Sequence, residues 1–344
     1  MDLFSRGYNW FWNERFWLPE NYTFKDIENH NSETNMPIRM RVHFPLAVVV
    51  MLFLRFLHYR IVGFLCKING VVDNRPTVKN VPELHACYRF TKRPSESQID
   101  ALTKRVDMSQ RQIYVWFQNR RSLDKPGLLQ KIKEGSWRCL FYAFISCFGF
   151  WTLWSAPWLW DVSYCWKDFP LQTMQTSVVM YYLFELSFYT CLLVTALNDV
   201  RRLDFKEQVI HHLATVALLS MSYVSNCMRI GSLVMISHDV ADVFLEGCKC
   251  FNYLKRRVLA DIGFICFVVA FCATRLCIFP FHVIRAASFS IPFARMCPSH
   301  ILLIAFLLLL QILHLFWAQT IFAIVKKVLM GEHAEDSRSD VESE

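Results

Sequence analysis

Two adjacent histidines, His211-His212, are followed by a second polar set, His238-Asp239 and Asp242. Imidazoles beside carboxylates support three kinds of chemistry: proton transfer, nucleophilic attack through an acyl-imidazole, and metal ligation. On a helix, Thr215, Ser222 and Asn226 lie 4, 11 and 15 positions after His211, within about 60° of it at 100° per residue, so they form one polar stripe. His212 points about a quarter-turn away. His238 and Asp242 are four apart and share a face.

These residues stand in an apolar setting. Of 344 residues, 54% are hydrophobic and 19% charged, with 30 Phe and 11 Trp. Ten Gly and twelve Pro, together with apolar blocks of membrane-spanning length, exclude collagen-like, coiled-coil and disordered chains. The reading is an all-α polytopic membrane protein. An ionisable group inside a span costs about 2.5–3.5 kcal/mol on insertion scales, so each needs a partner, a wet cavity or a task. Three readings stand side by side for the His and Asp set: interhelical hydrogen bonds, a metal site, and acid–base or nucleophilic chemistry. Membrane iron enzymes usually carry several HxxHH-type boxes, and one HH pair is present here, so no metal is expected. Glu185, Arg275, Gln311 and His314 either line the same cavity or pair with one another.

About seven transmembrane helices are expected, at roughly 42–63, 139–160, 176–197, 209–226, 230–247, 259–284 and 300–325, each near the 20 residues that a bilayer requires. In the first, Arg55, His58 and Arg60 are expected to snorkel to the interface. The short 227–229 connection makes the fourth and fifth spans antiparallel neighbours. Counting only 66–85 and 119–138 of the long 66–138 connection, those nearest the membrane, Lys and Arg number 19 on one side of the spans and 8 on the other, so the carboxyl terminus is expected in the cytosol and the amino terminus in the lumen. Asn21-Tyr22-Thr23 is a glycosylation sequon on the lumenal side. No signal peptide is read in residues 1–40. Running toward the cytosol, the fifth span puts Asp242 about 9 Å and His238 about 15 Å from its end. The thirteen Cys read mainly as small buried hydrophobes, with Cys248 and Cys250 open to palmitoylation at a membrane edge.

The stretch from Asp199 to His212, then Ser222-Tyr-Val-Ser-Asn226, Arg229-Ile-Gly-Ser-Leu-Val and His238-Asp239-Val-Ala-Asp242, resembles the Lag1 motif of ceramide synthases. Trp12 to Pro19, Arg275 to Pro280 and Arg338 to Ser343 resemble that family's amino-terminal segment, sixth span and acidic tail. The resemblance implies an endoplasmic-reticulum acyltransferase joining a fatty acyl group from acyl-CoA to a sphingoid base, with no separate cofactor. It places the family's motif residues on His211, His212, Asp239 and Asp242. It favours an acyl-histidine step, assigned to His211, with His212 as partner base and His238, Asp239 and Asp242 orienting or protonating groups. Ser222, Asn226, Arg229, Glu185 and Arg275 are the expected substrate-binding residues. Leu203, Tyr189-Thr-Cys191 and the short tail depart from the family pattern. The family's acyl-length preference is attributed to the loop that here includes Arg285 to Ser299. Membrane lipids and homo- or hetero-dimers with ceramide synthases are the further partners. Two rivals are a seven-span receptor, whose signatures are absent, and a non-enzymatic TLC-domain protein that senses or moves lipid.

Five segments follow: a lumenal 1–41, a first span 42–63, a cytosolic insert 66–127, a TLC membrane domain 128–328 and an acidic tail 329–344. In the insert, Gln112-Ile-Tyr-Val-Trp116-Phe117-Gln-Asn119-Arg120-Arg121 resembles a homeodomain recognition helix. Asn119 stands at the adenine-reading position, with Arg120 and Arg121 near phosphates. Upstream only Ser95 to Val106 reads clearly as another helix. Pro76 and Pro82 suggest that the first helix is missing or degraded, so a structural or regulatory role is expected and DNA binding is not. Lys131, Lys133 and Arg138 suit lipid headgroups or CoA phosphates. In the tail, Ser337 and Ser339 each precede an acid by three residues, a pattern for acidophilic kinases.

Overall fold

Long runs of Leu, Phe, Ile and Val, interrupted by few glycines, favour helix throughout. The computed structural model describes residues 3–32, 40–71, 73, 75–289 and 296–330, and helices are the only regular elements among them. Three short helices, Leu3–Phe11, Glu14–Trp17 and Phe24–Ser32, precede α1 (Met40–Ile68). Then come α2 (Pro82–Phe90), α3 (Glu96–Thr103), α4 (Gln110–Asp124), α5 (Leu128–Leu153), α6 (Thr176–Thr195), α7 (Phe205–Val224), α8 (Met228–Tyr253) and α9 (Arg257–Phe271). A π-helical stretch, Cys272–Ile284, continues α9 and runs into Arg285–Phe289, and α10 spans Pro298–Leu329. Ser337 and Ser339 lie outside the described residues, as do 290–295 of the loop before α10.

Among the described residues, four helices are long and apolar enough to cross a membrane: α1, α6, the continuous Arg257–Phe289 and α10. The expected spans at 139–160, 209–226 and 230–247 fall on α5, α7 and α8, which are helices but carry too much polar character to qualify by apolarity alone. The cause is plain in α8, which buries Ser232, Ser237, His238, Asp239, Asp242, Glu246 and Lys249.

The chain divides into two units, Met1–Tyr59 with Gly135–Glu344, and Arg60–Glu134. In the larger, α7 and α8 form the expected antiparallel hairpin. Asn226, at the turn, has φ 55°, a left-handed conformation that Asn tolerates better than most residues. Gly231 matters for close approach: a Cβ there would stand 1.7 Å from the Tyr182 hydroxyl, which reaches Ser222 Oγ at 3.1 Å and the Met228 carbonyl at 3.2 Å.

Arg55 does not snorkel. It is buried, its guanidinium ion-paired with Asp199 and hydrogen-bonded to Thr195 and Tyr59, because an acid on the α6–α7 connection is a better partner than distant headgroups. His58 meets Ser136 Oγ at 3.0 Å; Arg60 alone of the three is exposed.

The smaller unit has its own core of Leu84, Tyr88, Leu102, Ile113, Trp116 and Phe117. The first helix that Pro82 seemed to forbid is present, shortened to nine residues. Proline at the first helical position starts a helix, since its missing N–H would be unpaired there anyway, and Leu84 and Tyr88, one turn apart, face the core. Capping boxes at Ser95/Gln98 and Ser109/Gln112 start α3 and α4. Burial, aided by Asp124, pushes the Tyr88 phenol up to about 12. Arg120 and Arg121 are engaged inside the unit, with Asp124 at 3.0 Å and the Lys92 carbonyl at 3.0 Å.

Candidate active site

Four helices and the π-helical stretch bring the polar residues of the larger unit to one region. From α7 come His211 and His212, whose ring centroids are 5.6 Å apart. His238 from α8 lies 6.3 Å from His211, centroid to centroid. Tyr189 of α6 packs 6.3 Å from His211 and 5.5 Å from His212, and Trp317 of α10 sits edge-on to His211 at 5.5 Å. The Nδ1 atoms of His211 and His212 are buried without hydrogen-bond partners.

Hydrogen bonds fix the supporting groups. His238 Nδ1 faces the Val234 carbonyl at 2.6 Å; a carbonyl only accepts, so Nδ1 carries the proton and, in the neutral ring, Nε2 carries the lone pair. That lone pair meets His314 Nε2 at 3.0 Å, so His314 donates to it. Asp242 Oδ2 accepts from Arg275 Nη2 at 2.6 Å, and the same guanidinium nitrogen donates to the His238 carbonyl at 3.0 Å. Arg275 thus ties the backbone of one site residue to the carboxylate of another. It comes from the π-helical stretch, a geometry that recurs at functional sites. Asp239 Oδ2 accepts from the Tyr181 hydroxyl at 2.6 Å.

Two cavities meet at His211. One, of about 60 Å³, is walled mainly by apolar residues such as Leu218, Leu303 and Leu307, with Glu185, Tyr189, Ser222, His238 and Asp239 among its polar groups and His300 in its wall. The other, of about 140 Å³, is lined by His212, Asp242, Arg275 and Trp317, and by Arg138, Gln208, Glu246, Lys249 and Asn252. His211 lines both. Arg138 is held at 3.5 Å from Asp199, the acid that also takes Arg55, and Lys249 is paired with Glu246 at 2.7 Å.

Of the residues expected from the sequence, His211, His212, His238, Asp239, Asp242, Ser222, Glu185 and Arg275 line these cavities. Asn226 and Arg229 line neither. The Asn226 carboxamide donates to the carbonyls of Pro170 and Gln172, at 2.7 and 3.2 Å. Arg229 donates to those of Tyr164 and Lys167, at 2.8 and 3.2 Å, with its guanidinium over Trp158. Both pin the segment before α6. Asn21 is exposed. Tyr181, Tyr189 and Trp317 were not anticipated. A signal existed for the first two: Tyr181, Glu185 and Tyr189 follow one another at spacings of four, a polar stripe on an otherwise apolar helix. Among the described residues, no three His, Cys, Asp or Glu side chains are placed to hold a metal ion together.

Residues 131–323 match the TLC domain model, and residues 74–126 match the homeodomain model. Human ceramide synthase 5 is 38% identical over 98% of this chain and 87% of its own length. Bovine ceramide synthase 4 is 38% identical over 99% and 88%, and human ceramide synthase 3 is 35% identical over 97% and 88%. The chain belongs to the ceramide synthase family. Its site residues sit inside the TLC match, and the three-helix unit coincides with the homeodomain match, which also covers the shortened first helix.

Proposed function

We propose that this chain transfers a fatty acyl group from acyl-CoA to the amine of a sphingoid base, giving ceramide or dihydroceramide, in the endoplasmic-reticulum membrane. The observation that carries the reading is the position of His211, the imidazole in the wall of both an apolar cavity and a cavity lined by charged residues of both signs. An acyl-CoA has a matching duality, with an anionic head and an apolar tail, and its reacting thioester joins the two. The apolar cavity suits the tail; the charged cavity, where Arg138, Lys249 and Arg275 stand among Asp242 and Glu246, suits the polar head. No cofactor is needed, since both reactants arrive activated or intrinsically nucleophilic.

In this reading His211 attacks the thioester carbonyl carbon, the C–S bond breaks, and CoA leaves with the imidazole's proton. The amine then attacks the acyl-imidazole and the C–N bond to His211 breaks. His212 serves as partner base, and Asp239, Asp242 and His238 hold the geometry. His238 acts as a support, because its Nε2 is occupied by His314. All seven expected helices cross the bilayer, α5, α7 and α8 being those whose polar faces line the cavities. The carboxyl terminus faces the cytosol, where acyl-CoA is found, and the lumenal Asn21 carries glycan. Ser337 and Ser339 accept phosphate, and the chain pairs with itself or with another ceramide synthase.

The test is acyl transfer in a host without endogenous activity, comparing the parent with His211→Ala and His212→Ala across acyl-CoA lengths. A loss of about a hundredfold or more in His211→Ala is expected, with a mass shift of one acyl group on the parent's His211 peptide. Full activity in both variants would overturn the site, and an inactive parent would favour a non-enzymatic lipid-sensing or lipid-moving role.

A further inference from the structure

Beside His211, the apolar cavity contains a pair of carboxyl groups that neighbouring side chains leave largely unanswered. Glu185 of α6 is fully buried, and no N–H or hydroxyl donor reaches either of its carboxylate oxygens. Asp239 of α8 is 1% exposed; Tyr181 satisfies its Oδ2, and no such donor reaches its Oδ1. The two carboxyls hydrogen-bond one another, which requires one of them to carry a proton, and both line the cavity that contains His211 and Tyr189. Nearby cations are directed elsewhere: Arg275 to Asp242 and the His238 carbonyl, Lys249 to Glu246.

Buried acceptors without donors are costly, and two acids side by side are costlier. Native structures keep such groups where a ligand completes them. With one proton bridging the two carboxyls, the pair carries a single negative charge and no N–H or hydroxyl donor reaches Glu185 or Asp239 Oδ1. An ammonium group has three N–H donors and one positive charge. We propose that Glu185 and Asp239 form the subsite that receives the substrate amine as an ammonium ion and takes its first proton. The inference rests on the acyl-transfer reading above and specifies how its second substrate is recognised.

The chemistry balances. The ammonium gives one proton to the carboxylate pair and becomes a neutral amine with a free lone pair. That nitrogen attacks the acyl carbon on His211; the new C–N bond forms as the bond to imidazole breaks, and the second amine proton passes to the departing imidazole. The carboxyl proton then leaves to water, which resets the pair. A neutral lipid of the same shape, with hydroxyl in place of amine, brings one O–H donor instead of three N–H donors and no charge, so the subsite selects against it.

The experiment uses the full-length chain in lipid nanodiscs, as parent and as Glu185→Gln, which keeps the shape and removes the charge. Sphinganine and its analogue with hydroxyl replacing the amine are compared as ligands by thermal stabilisation, which requires no turnover. The parent is expected to prefer the amine by about a hundredfold, and Glu185→Gln to lose most of that preference. In parallel, acyl-CoA alone is added and acylation of the enzyme is followed by mass spectrometry. Glu185→Gln is expected to lose about a hundredfold in kcat/KM for sphinganine and distinctly less in the rate of its own acylation, so that the two readouts separate. Asp239→Asn, on a different helix, is the second variant should the first fail to fold; because Asp239 also holds the geometry around His211, it is judged by ligand binding alone, where it is expected to lose most of the preference for amine over hydroxyl. An undiminished amine preference in either folded variant overturns the subsite, as does equal loss of acylation and transfer in Glu185→Gln. A parent that binds sphinganine selectively but never acylates overturns the acyl-histidine reading and leaves the subsite standing.

Discussion

The two units treat their polar groups in opposite ways. In the three-helix unit, Arg120, Arg121, Tyr88, Trp116 and Asp124 are matched to one another or to backbone carbonyls. None of its side chains is among the buried donors and acceptors without partners. In the larger unit, Glu185, Asp239, Glu246, His211, His212, His314 and Arg275 each leave at least one buried atom unanswered. A segment that satisfies itself is built to hold a shape; one that leaves polar atoms open in an apolar interior is built to receive something. The homeodomain resemblance and the Lag1 resemblance therefore carry different weight here. The first describes a fold whose Arg120 and Arg121 are paired within it, and the second describes a cluster of His, Asp and Glu in which several buried atoms meet no donor or acceptor.

The sharpest way to break the comparison is to remove a partner from the larger unit. Arg275→Ala leaves the Asp242 carboxylate buried and alone, a change that costs about 3–5 kcal/mol for a buried pair, and it also frees the His238 carbonyl. Acyl transfer is expected to fall about a hundredfold or more, with a lower thermal midpoint for the detergent-solubilised chain. Arg275→Lys should recover part of the stability and little of the rate, because a single ammonium does not reproduce the planar fork. Equal recovery of both would mean that Arg275 supplies only charge.

Trp116→Ala is the converse test. It empties the centre of the smaller core and is expected to cost about 3–5 kcal/mol there, opening residues 82–124 to limited proteolysis. Acyl transfer should nevertheless stay within about threefold of the parent, since the smaller unit has a hydrophobic core of its own and contributes no residue to either cavity. A collapse of activity would show the two units to be coupled and would end the contrast drawn above.

How much could be read beforehand follows the same division. The His and Asp set was legible because ionisable residues stand out against apolar helices, and the four-residue spacing of His238 and Asp242 gave their shared face. The α7–α8 hairpin followed from a connection too short for anything else. Asn226 and Arg229 were legible as unusual but not in their use: their partners are backbone carbonyls of residues 164–172, and a carbonyl is the same in every sequence. Arg55 was misread for a related reason. Its partner Asp199 lies 144 positions away, and charge pattern along one helix says nothing about an acid arriving from another. Pro82 was misread because proline both ends and begins helices, and only the buried Leu84 and Tyr88 decide which.

A smaller effect tests packing behind the site. Gly231→Ala puts a methyl 1.7 Å from the Tyr182 hydroxyl and 3.2 Å from Ser222 Oγ, forcing Tyr182 off its bonds to Ser222 and the Met228 carbonyl. Overpacking of this kind costs about 1–3 kcal/mol. Tyr182→Phe in the same background removes the clashing atom and should restore part of the loss in a thermal denaturation series. No restoration would mean that the helix backbone itself had shifted.

The smallest expected effect lies in the self-satisfied unit and depends on pH. Burial opposes ionisation of Asp124, but the Tyr88 hydroxyl at 2.7 Å, Arg120 and Lys92 outweigh it and hold the carboxyl below its ordinary value of 3.8. A carboxyl whose folded value lies below its unfolded one contributes stability that is whole above the unfolded value and is lost as pH falls through the folded one. Hydrogen exchange across residues 82–124 should therefore be insensitive to Asp124 protonation near neutrality and quicken, after correction for intrinsic rates, below pH 3.8. Asp124→Asn removes that dependence and should be less protected at pH 7, modestly so because the group is a third exposed and solvent screens its partners. If the variant matches the parent at neutral pH, the matched polar groups of this unit contribute nothing to holding it together, and its order comes from Leu84, Trp116 and Phe117 alone.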